Sequence, residues 1–157
     1  MHAGADLHYE WITSIAGVDK TAWDRLALPA ATPLFEYDWL HLLESSGSVA
    51  PETGWDPRIL LARNKKRLVA AVVCYVKKHS EGEFVYDYPW ADVAERLGIP
   101  YYPKLVGMSP LTPVPAYQLL VDPAADLNTL AAALMHEVRR FAAAEKLSGI
   151  HLQYTLD

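Results

Sequence analysis

The sequence predicts an α/β domain of the α+β kind, with a mixed, mainly antiparallel sheet flanked by helices. Three observations carry this. Residues 58–78 read as a β-hairpin whose second strand is apolar on both faces, as a covered central strand must be. Two short helical patterns precede the hairpin and a long one, residues 126–146, follows it. The chain then returns to strand-like alternation over residues 150–156. At 157 residues it is long enough for a single domain that buries roughly 68–70% of its unfolded surface.

Each element has a local cause. Tyr9 to Ile15 alternates as an opening strand, ended by Gly17. Asp19 can cap a short helix through Leu26, and Val18 and Trp23 have the spacing of a hydrophobic staple. Pro29 and Pro33 close that helix. A second helix is expected over residues 37–46, with Phe35, Trp39, Leu42 and Leu43 on one face and Gly47 as its stop. Arg58 to Arg63 and Arg67 to Lys78 form the hairpin, joined by a three-residue Asn64-Lys65-Lys66 loop. Phe84 to Tyr88 reads as a short aromatic strand. Pro89 opens a small helix reaching Leu97, ended by Gly98 and Pro100. Tyr101 to Pro115 is too rich in proline for a helix and reads as extended segments and loops. Tyr117 to Val121 is a strand. Asp126 caps the long helix, with Leu127, Leu130, Leu134, Val138 and Phe141 inward and Glu137, Arg139 and Arg140 facing water. A final strand, residues 150–156, puts Ile150, Leu152, Tyr154 and Leu156 on one face. A domain that stops on such a strand is expected to continue into a second lobe or to pair with another copy of itself.

Composition excludes several classes. Apolar residues make up 52% against a net charge of -5, too apolar for a disordered chain. One cysteine, Cys74, cannot build a disulfide framework or a multi-cysteine metal site. The acidic balance argues against stable nucleic-acid binding. No run reaches the roughly 20 apolar residues of a membrane span, and Met1 to Glu10 has no signal-peptide pattern. The expected location is the cytoplasm.

Several local stretches are distinctive. They are Leu43-Glu-Ser-Ser-Gly-Ser-Val49, Thr53-Gly-Trp-Asp-Pro57, Tyr75-Val-Lys-Lys-His-Ser80, Phe84-Val-Tyr-Asp87, Trp90-Ala-Asp92 and Tyr101-Tyr-Pro-Lys-Leu105. Together, in this order, they resemble the FemAB-like family of the GNAT acyltransferase superfamily, often labelled peptidoglycan biosynthesis or recognition. The order of elements also resembles the GNAT fold. The resemblance runs from Phe35 to the C-terminus and implies the first of two GNAT-like lobes. It also implies transfer of an acyl or aminoacyl group to an acceptor amine, with a cell-wall precursor as acceptor. The implied donor is acyl-CoA or aminoacyl-tRNA, held in the second lobe.

A GNAT enzyme that uses acetyl-CoA needs a glycine-rich turn where backbone N–H groups hold pyrophosphate at a helix N-terminus. The turn before the long helix reads Asp122-Pro-Ala-Ala-Asp126, with no glycine, so no cofactor is expected in this lobe. P-loop and dinucleotide fingerprints are absent too. His136-Glu137 begins like a zinc-protease motif, but Arg140 stands where the second histidine is needed. Cys74, in an apolar strand, reads as a buried, inert thiol.

The chemistry concentrates between Glu83 and Lys104, where carboxylates interleave with aromatics. Such a groove can stack on a sugar or peptide and hydrogen-bond its polar groups. Asp87 and Asp92 are candidates for a general base acting on an attacking amine. His79, Trp90, Tyr101, Tyr102 and Lys104 are candidates for substrate binding. The competing reading makes the aromatics core and the carboxylates turn caps. Two other functions stay open: a non-catalytic glycan- or peptide-binding module, and a small stand-alone acetyltransferase.

Overall fold

The computed structural model describes residues 7–156. The hairpin is its centre. Strand β2 (Asp56–Asn64) pairs antiparallel with β3 (Arg67–Lys77), and β1 (Leu7–Ile12) pairs antiparallel with the outer side of β2. Beyond β3 lie two strands in succession. Strand β4 (Lys104–Gly107) pairs with the end of β3, and β5 (Leu120–Val121) with its beginning, both antiparallel. Residues 108–119 leave the ladder between them. The last strand, β6 (Ile150–Leu152), runs parallel to β4. The order is β1-β2-β3-β4-β6, with β5 also on β3.

Strand alternation sorts the core onto two faces. Ile59, Leu61, Ala71, Val73 and Tyr75 meet Trp23 and Leu26 of α1 (Lys20–Ala27) and Leu40 and Leu43 of α2 (Tyr37–Ser45). Leu60, Ala62, Ala70, Val72 and Cys74 meet Leu130, Leu134 and Val138 of α4 (Leu127–Ala144) on the other. Each fully buried leucine or valine contributes roughly 1.5–3 kcal/mol. The covered central strand is β3, as its two apolar faces require. A further helix, α3 (Tyr88–Arg96), buries none of its residues.

The structure corrects several local expectations. β1 ends at Ile12, because Ser14 caps a short 3-10 turn that turns Ile15 into the core. The hairpin turn holds two residues: Asn64 pairs with Arg67, and Lys65 takes a positive φ of 54°. An irregularity between Ala62 and Arg63 leaves Val69 out of the ladder, and its carbonyl accepts from the Asp122 N–H at 2.9 Å. On α2 the buried residues are Leu40 and Leu43; Leu42 is exposed. Phe84 to Tyr88 is not a strand. Phe84 has a φ of 57°, and the Tyr154 hydroxyl donates to the carbonyls of Glu83 and Phe84 in place of a ladder. A strand missed in the proline-rich region, β4, is buried at every position. β5 keeps only the last two residues of its predicted span.

On α4, Glu137 is buried rather than facing water. It falls on the inward stripe with Leu130, Leu134 and Val138, and Arg140 covers it at 2.8 Å. Leu127 is exposed, and Phe141 stacks on Trp11 with ring centroids 4.1 Å apart. β6 stops at Leu152 because β4, its partner, ends at Gly107. Tyr154 then turns away with a φ of 54°. Leu156 is exposed rather than core. No helix among the described residues is long and apolar enough to cross a membrane. The reading against a signal peptide rests on residues 1–10, of which residues 1–6 lie outside the described residues, as does Asp157.

Candidate functional site

The sheet brings two lysines together at one end. Lys77 ends β3 and Lys104 opens β4, and the two stand directly opposite each other in the ladder, both fully buried. Buried ammonium groups need compensation. Lys104 finds it in residues 83–87, where Glu83 Oε2 lies 3.1 Å and Asp87 Oδ2 2.7 Å from its Nζ. Lys77 donates to the Glu81 carbonyl at 2.9 Å and lies over the Trp55 ring, 3.6 Å from its centroid. Gly82, at a φ of 79°, sits against Trp55 and Leu111, so the 108–119 loop braces this segment from outside.

Asp87 is the hub. It stands at the N-cap position of α3 without capping it. Its carboxylate instead accepts from Lys104, from Tyr101 Oη at 3.0 Å and, more weakly, from Tyr102 Oη at 3.4 Å. Burial would raise its pKa, but these partners and the neighbouring Ser80 hydroxyl outweigh it and hold the carboxyl below the ordinary range. Burial would likewise lower Lys104, and the two carboxylates hold it above the usual lysine value. Burial, then Asp87, pushes the Tyr101 phenol up to about 12, so it stays a donor. Lys77 lacks a carboxylate in contact, and burial brings it down to about 8. Glu83 is tied further by Gln153 Nε2 at 2.8 Å. Three buried polar atoms around this cluster have no hydrogen-bond partner of good geometry: Ser80 Oγ, Glu83 Oε1 and Gln153 Oε1.

Two hollows open beside the cluster. One, about 500 Å³, lies between α3 and the tyrosines and is lined by Tyr88, Asp92, Glu95, Ile99, Tyr101 and Tyr102. The other, about 420 Å³, lies between β6 and residues 85–87, with Asp87, Tyr101, His151 and Gln153 in its wall.

The structure therefore joins Asp87, Tyr101, Tyr102 and Lys104, and separates the other candidates from them. Asp92 lines the first hollow from α3, ion-paired with Arg96 at 2.6 Å, and makes no contact with the cluster's charged groups. Trp90 is 71% exposed on the same helix, beside Tyr86 and Tyr88. His79 packs its ring on Gly54 and accepts from the Glu81 N–H at 3.3 Å. Neither competing reading of the aromatics holds throughout, since Tyr86, Tyr88 and Trp90 are neither core nor part of the cluster. Glu83, His151 and Gln153 were missed as site residues. Glu83 carries a visible signal, a carboxylate inside the aromatic stretch; His151 and Gln153 come from a strand whose neighbour only the topology reveals.

A third hollow, about 440 Å³ and largely apolar, lies at the N-terminal end of α4 between Tyr117, Leu119, Leu127, Met135, Leu152 and Leu156. The helix terminus beside it is capped by the chain itself. The Asp126 carboxylate accepts from the Asn128 N–H at 3.2 Å and from the Thr129 hydroxyl. Asp122 is clamped by Arg25 and Arg67, each at 2.6 Å.

Residues 14–157 match the FemAB-like family, described as peptidoglycan biosynthesis/recognition. The chain belongs to the FemAB-like family. Two solved structures share its fold. A ribosomal-protein-alanine N-acetyltransferase from Brucella melitensis biovar Abortus 2308 superposes with a TM-score of 0.57 at 15% identity, over 97% of this chain and 82% of that one. A GCN5-related N-acetyltransferase from Ralstonia eutropha JMP134 gives 0.52 at 14% identity, over 94% and 82%. At such identity the likeness establishes the fold, which is that of GNAT acetyltransferases. No curated protein sequence matches the chain.

Proposed function

We propose that this FemAB-like chain is the acceptor-binding lobe of an N-acyltransferase that forms an amide on a primary amine, with a cell-wall precursor as the acceptor. The observation that carries this reading is the buried Lys104–Asp87–Glu83 cluster. Its Asp87 lines one open hollow, and the tyrosines bonded to Asp87 line a second, in a chain matched to a peptidoglycan biosynthesis/recognition family. Asp87 and the two tyrosines offer hydrogen bonds to a peptide or sugar, and the exposed Tyr88 and Trp90 offer stacking faces. The donor is acyl-CoA or aminoacyl-tRNA, which places the reaction in the cytoplasm. Because Asp126 and Asp122 guard the start of α4, a second lobe holds the donor. The exposed face of α3 is available for docking that lobe.

The test incubates the full-length protein with a lysine-containing muropeptide and either acetyl-CoA or a pool of charged tRNA. Mass spectrometry then looks for amide formation. The expected result is acyl gain on the peptide amine, lost in Lys104→Met. The acidic α4 terminus favours one alternative, the binding module. It is supported instead if the muropeptide quenches tryptophan fluorescence and neither donor yields an amide. A stand-alone acetyltransferase requires acetyl-CoA to raise the melting temperature of this chain, as any native-state ligand must.

A further inference from the structure

We propose that His151 is the proton acceptor for the attacking amine, in the hollow between β6 and residues 85–87. This rests on the amide-forming reading above and assigns the base within it. The carboxylates expected for that task are unsuited to it. Asp87 is engaged by Lys104, Tyr101 and Tyr102, and taking a proton would break its pair with a fully buried ammonium. Asp92 is paired with Arg96 and lines the other hollow, not the one that holds Asp87.

His151 has the complementary properties. It stands opposite Val106 in the parallel β4–β6 pair, next to the start of β4 that carries Lys104. Its ring is half-buried in the wall of the 420 Å³ hollow, with Asp87, Tyr101 and Gln153 around it. The Tyr101 ring stands edge-on to it at 6.4 Å. Gly149, two residues earlier on the same side, leaves space for the imidazole: a Cβ there would come within 3.3 Å of Nε2. The charged groups facing it are Lys104 from β4 and Glu83 and Asp87 from the loop before α3. Burial and then Lys104 lower its pKa, and the carboxylates only partly oppose them. The imidazole is therefore neutral at pH 7 and able to accept a proton.

The step balances as follows. The acceptor reacts as a neutral amine, having released its ammonium proton to solvent. Its nitrogen bonds to the acyl carbon while one N–H proton passes to the imidazole. The C–O bond of an aminoacyl ester, or the C–S bond of a thioester, breaks. The imidazolium returns the proton to the departing oxygen or sulfur, leaving one amide and one alcohol or thiol.

Two arms test this. In the first, imidazole ¹H–¹⁵N spectra of the protein, assigned with His151→Gln, are titrated with Nα-acetyl-lysine N-methylamide and with its norleucine counterpart, which lacks the amine. The lysine probe is expected to shift the His151 resonances, to bind at least fivefold more weakly to His151→Gln, and to bind equally to His136→Gln on the exposed face of α4. No shift at His151, or equal shifts from both probes, overturns the amine site. In the second arm, transfer to the muropeptide by the full-length protein is followed against pH. kcat/KM is expected to rise through the pKa read for His151 by NMR. His151→Gln should lose that step and on the order of 100-fold in kcat with KM little changed. Transfer by His151→Gln at the wild-type rate overturns the proton-acceptor role. Absence of transfer by the wild type overturns the transferase reading and this role with it, while the first arm still decides the amine site. Melting curves confirm folding, and His151→Asn substitutes if the glutamine variant does not fold.

Discussion

Replacing Lys104 by methionine removes the cation that Glu83 and Asp87 both contact, at 3.1 and 2.7 Å, and leaves two carboxylates in a site where Lys104 and Glu83 have no exposure at all. Breaking a buried ion pair by deleting one partner costs about 3–5 kcal/mol, because the remaining charge has lost its water and gained nothing. For a domain of this size each kcal/mol moves the melting temperature by about 2–4 °C, so a fall of roughly 6–20 °C is expected. The triple variant Lys104→Met, Asp87→Asn, Glu83→Gln removes the charges together and should recover at least half of that loss, since the three groups form one coupled unit. The assay is urea unfolding followed by tryptophan fluorescence. pH adds a second handle. Asp87 is held below its unfolded pKa, so its share of stability is present above about pH 4 and is lost as pH falls through the lower native value. A cost below about 1 kcal/mol for Lys104→Met, or a triple variant as unstable as the separate losses combined, would refute the coupled network.

Other expectations follow from single sites. Lys77 has its pKa brought from 10.5 to about 8, so wild-type stability should rise between pH 8 and 10, by up to about 3 kcal/mol, and Lys77→Met should lack that rise in urea midpoints. Gly107→Ala drives a methyl group into the Tyr117 ring, whose hydroxyl donates to the Val73 carbonyl at 2.9 Å. It should lower stability by about 1–3 kcal/mol in thermal melts. Cys74 is buried and its thiol is pushed up to about 12, so alkylation in native buffer should be no faster than unfolding and become complete in urea.

Much of the fold was legible because it follows from local pattern. The run Leu68 to Val76 could be satisfied only by a strand covered on both faces, and the structure covers β3 with α1 and α2 on one side and α4 on the other. Asp19 and Asp126 cap the helices they precede, accepting from Ala22 and Asn128. The family was legible for a related reason: it rests on short stretches in a fixed order, such as Tyr101-Tyr-Pro-Lys-Leu105. Local pattern misled where a partner strand had to be supplied. Phe84 to Tyr88 has the composition of a strand but forms no ladder, with Phe84 at a φ of 57°, and Leu152 to Leu156 outruns the strand beside it.

The candidate site divides the same way. Asp87, Tyr101, Tyr102 and Lys104 were recognisable because they lie within one short aromatic, charged stretch. Asp92 and Trp90 lie in that stretch too, yet α3 holds them off the cluster, Asp92 paired with Arg96 and Trp90 exposed. Periodicity cannot say which face of an isolated helix will find a neighbour. The sequence by itself put Lys77 near the end of an apolar strand and Lys104 in the aromatic, charged stretch. Only tertiary structure decided that they stand across one ladder, that Glu83 neutralises the second, and that His151 arrives beside them from the far end of the chain. Long-range register is what sets those distances, and it depends on how the whole sheet pairs rather than on any stretch within it.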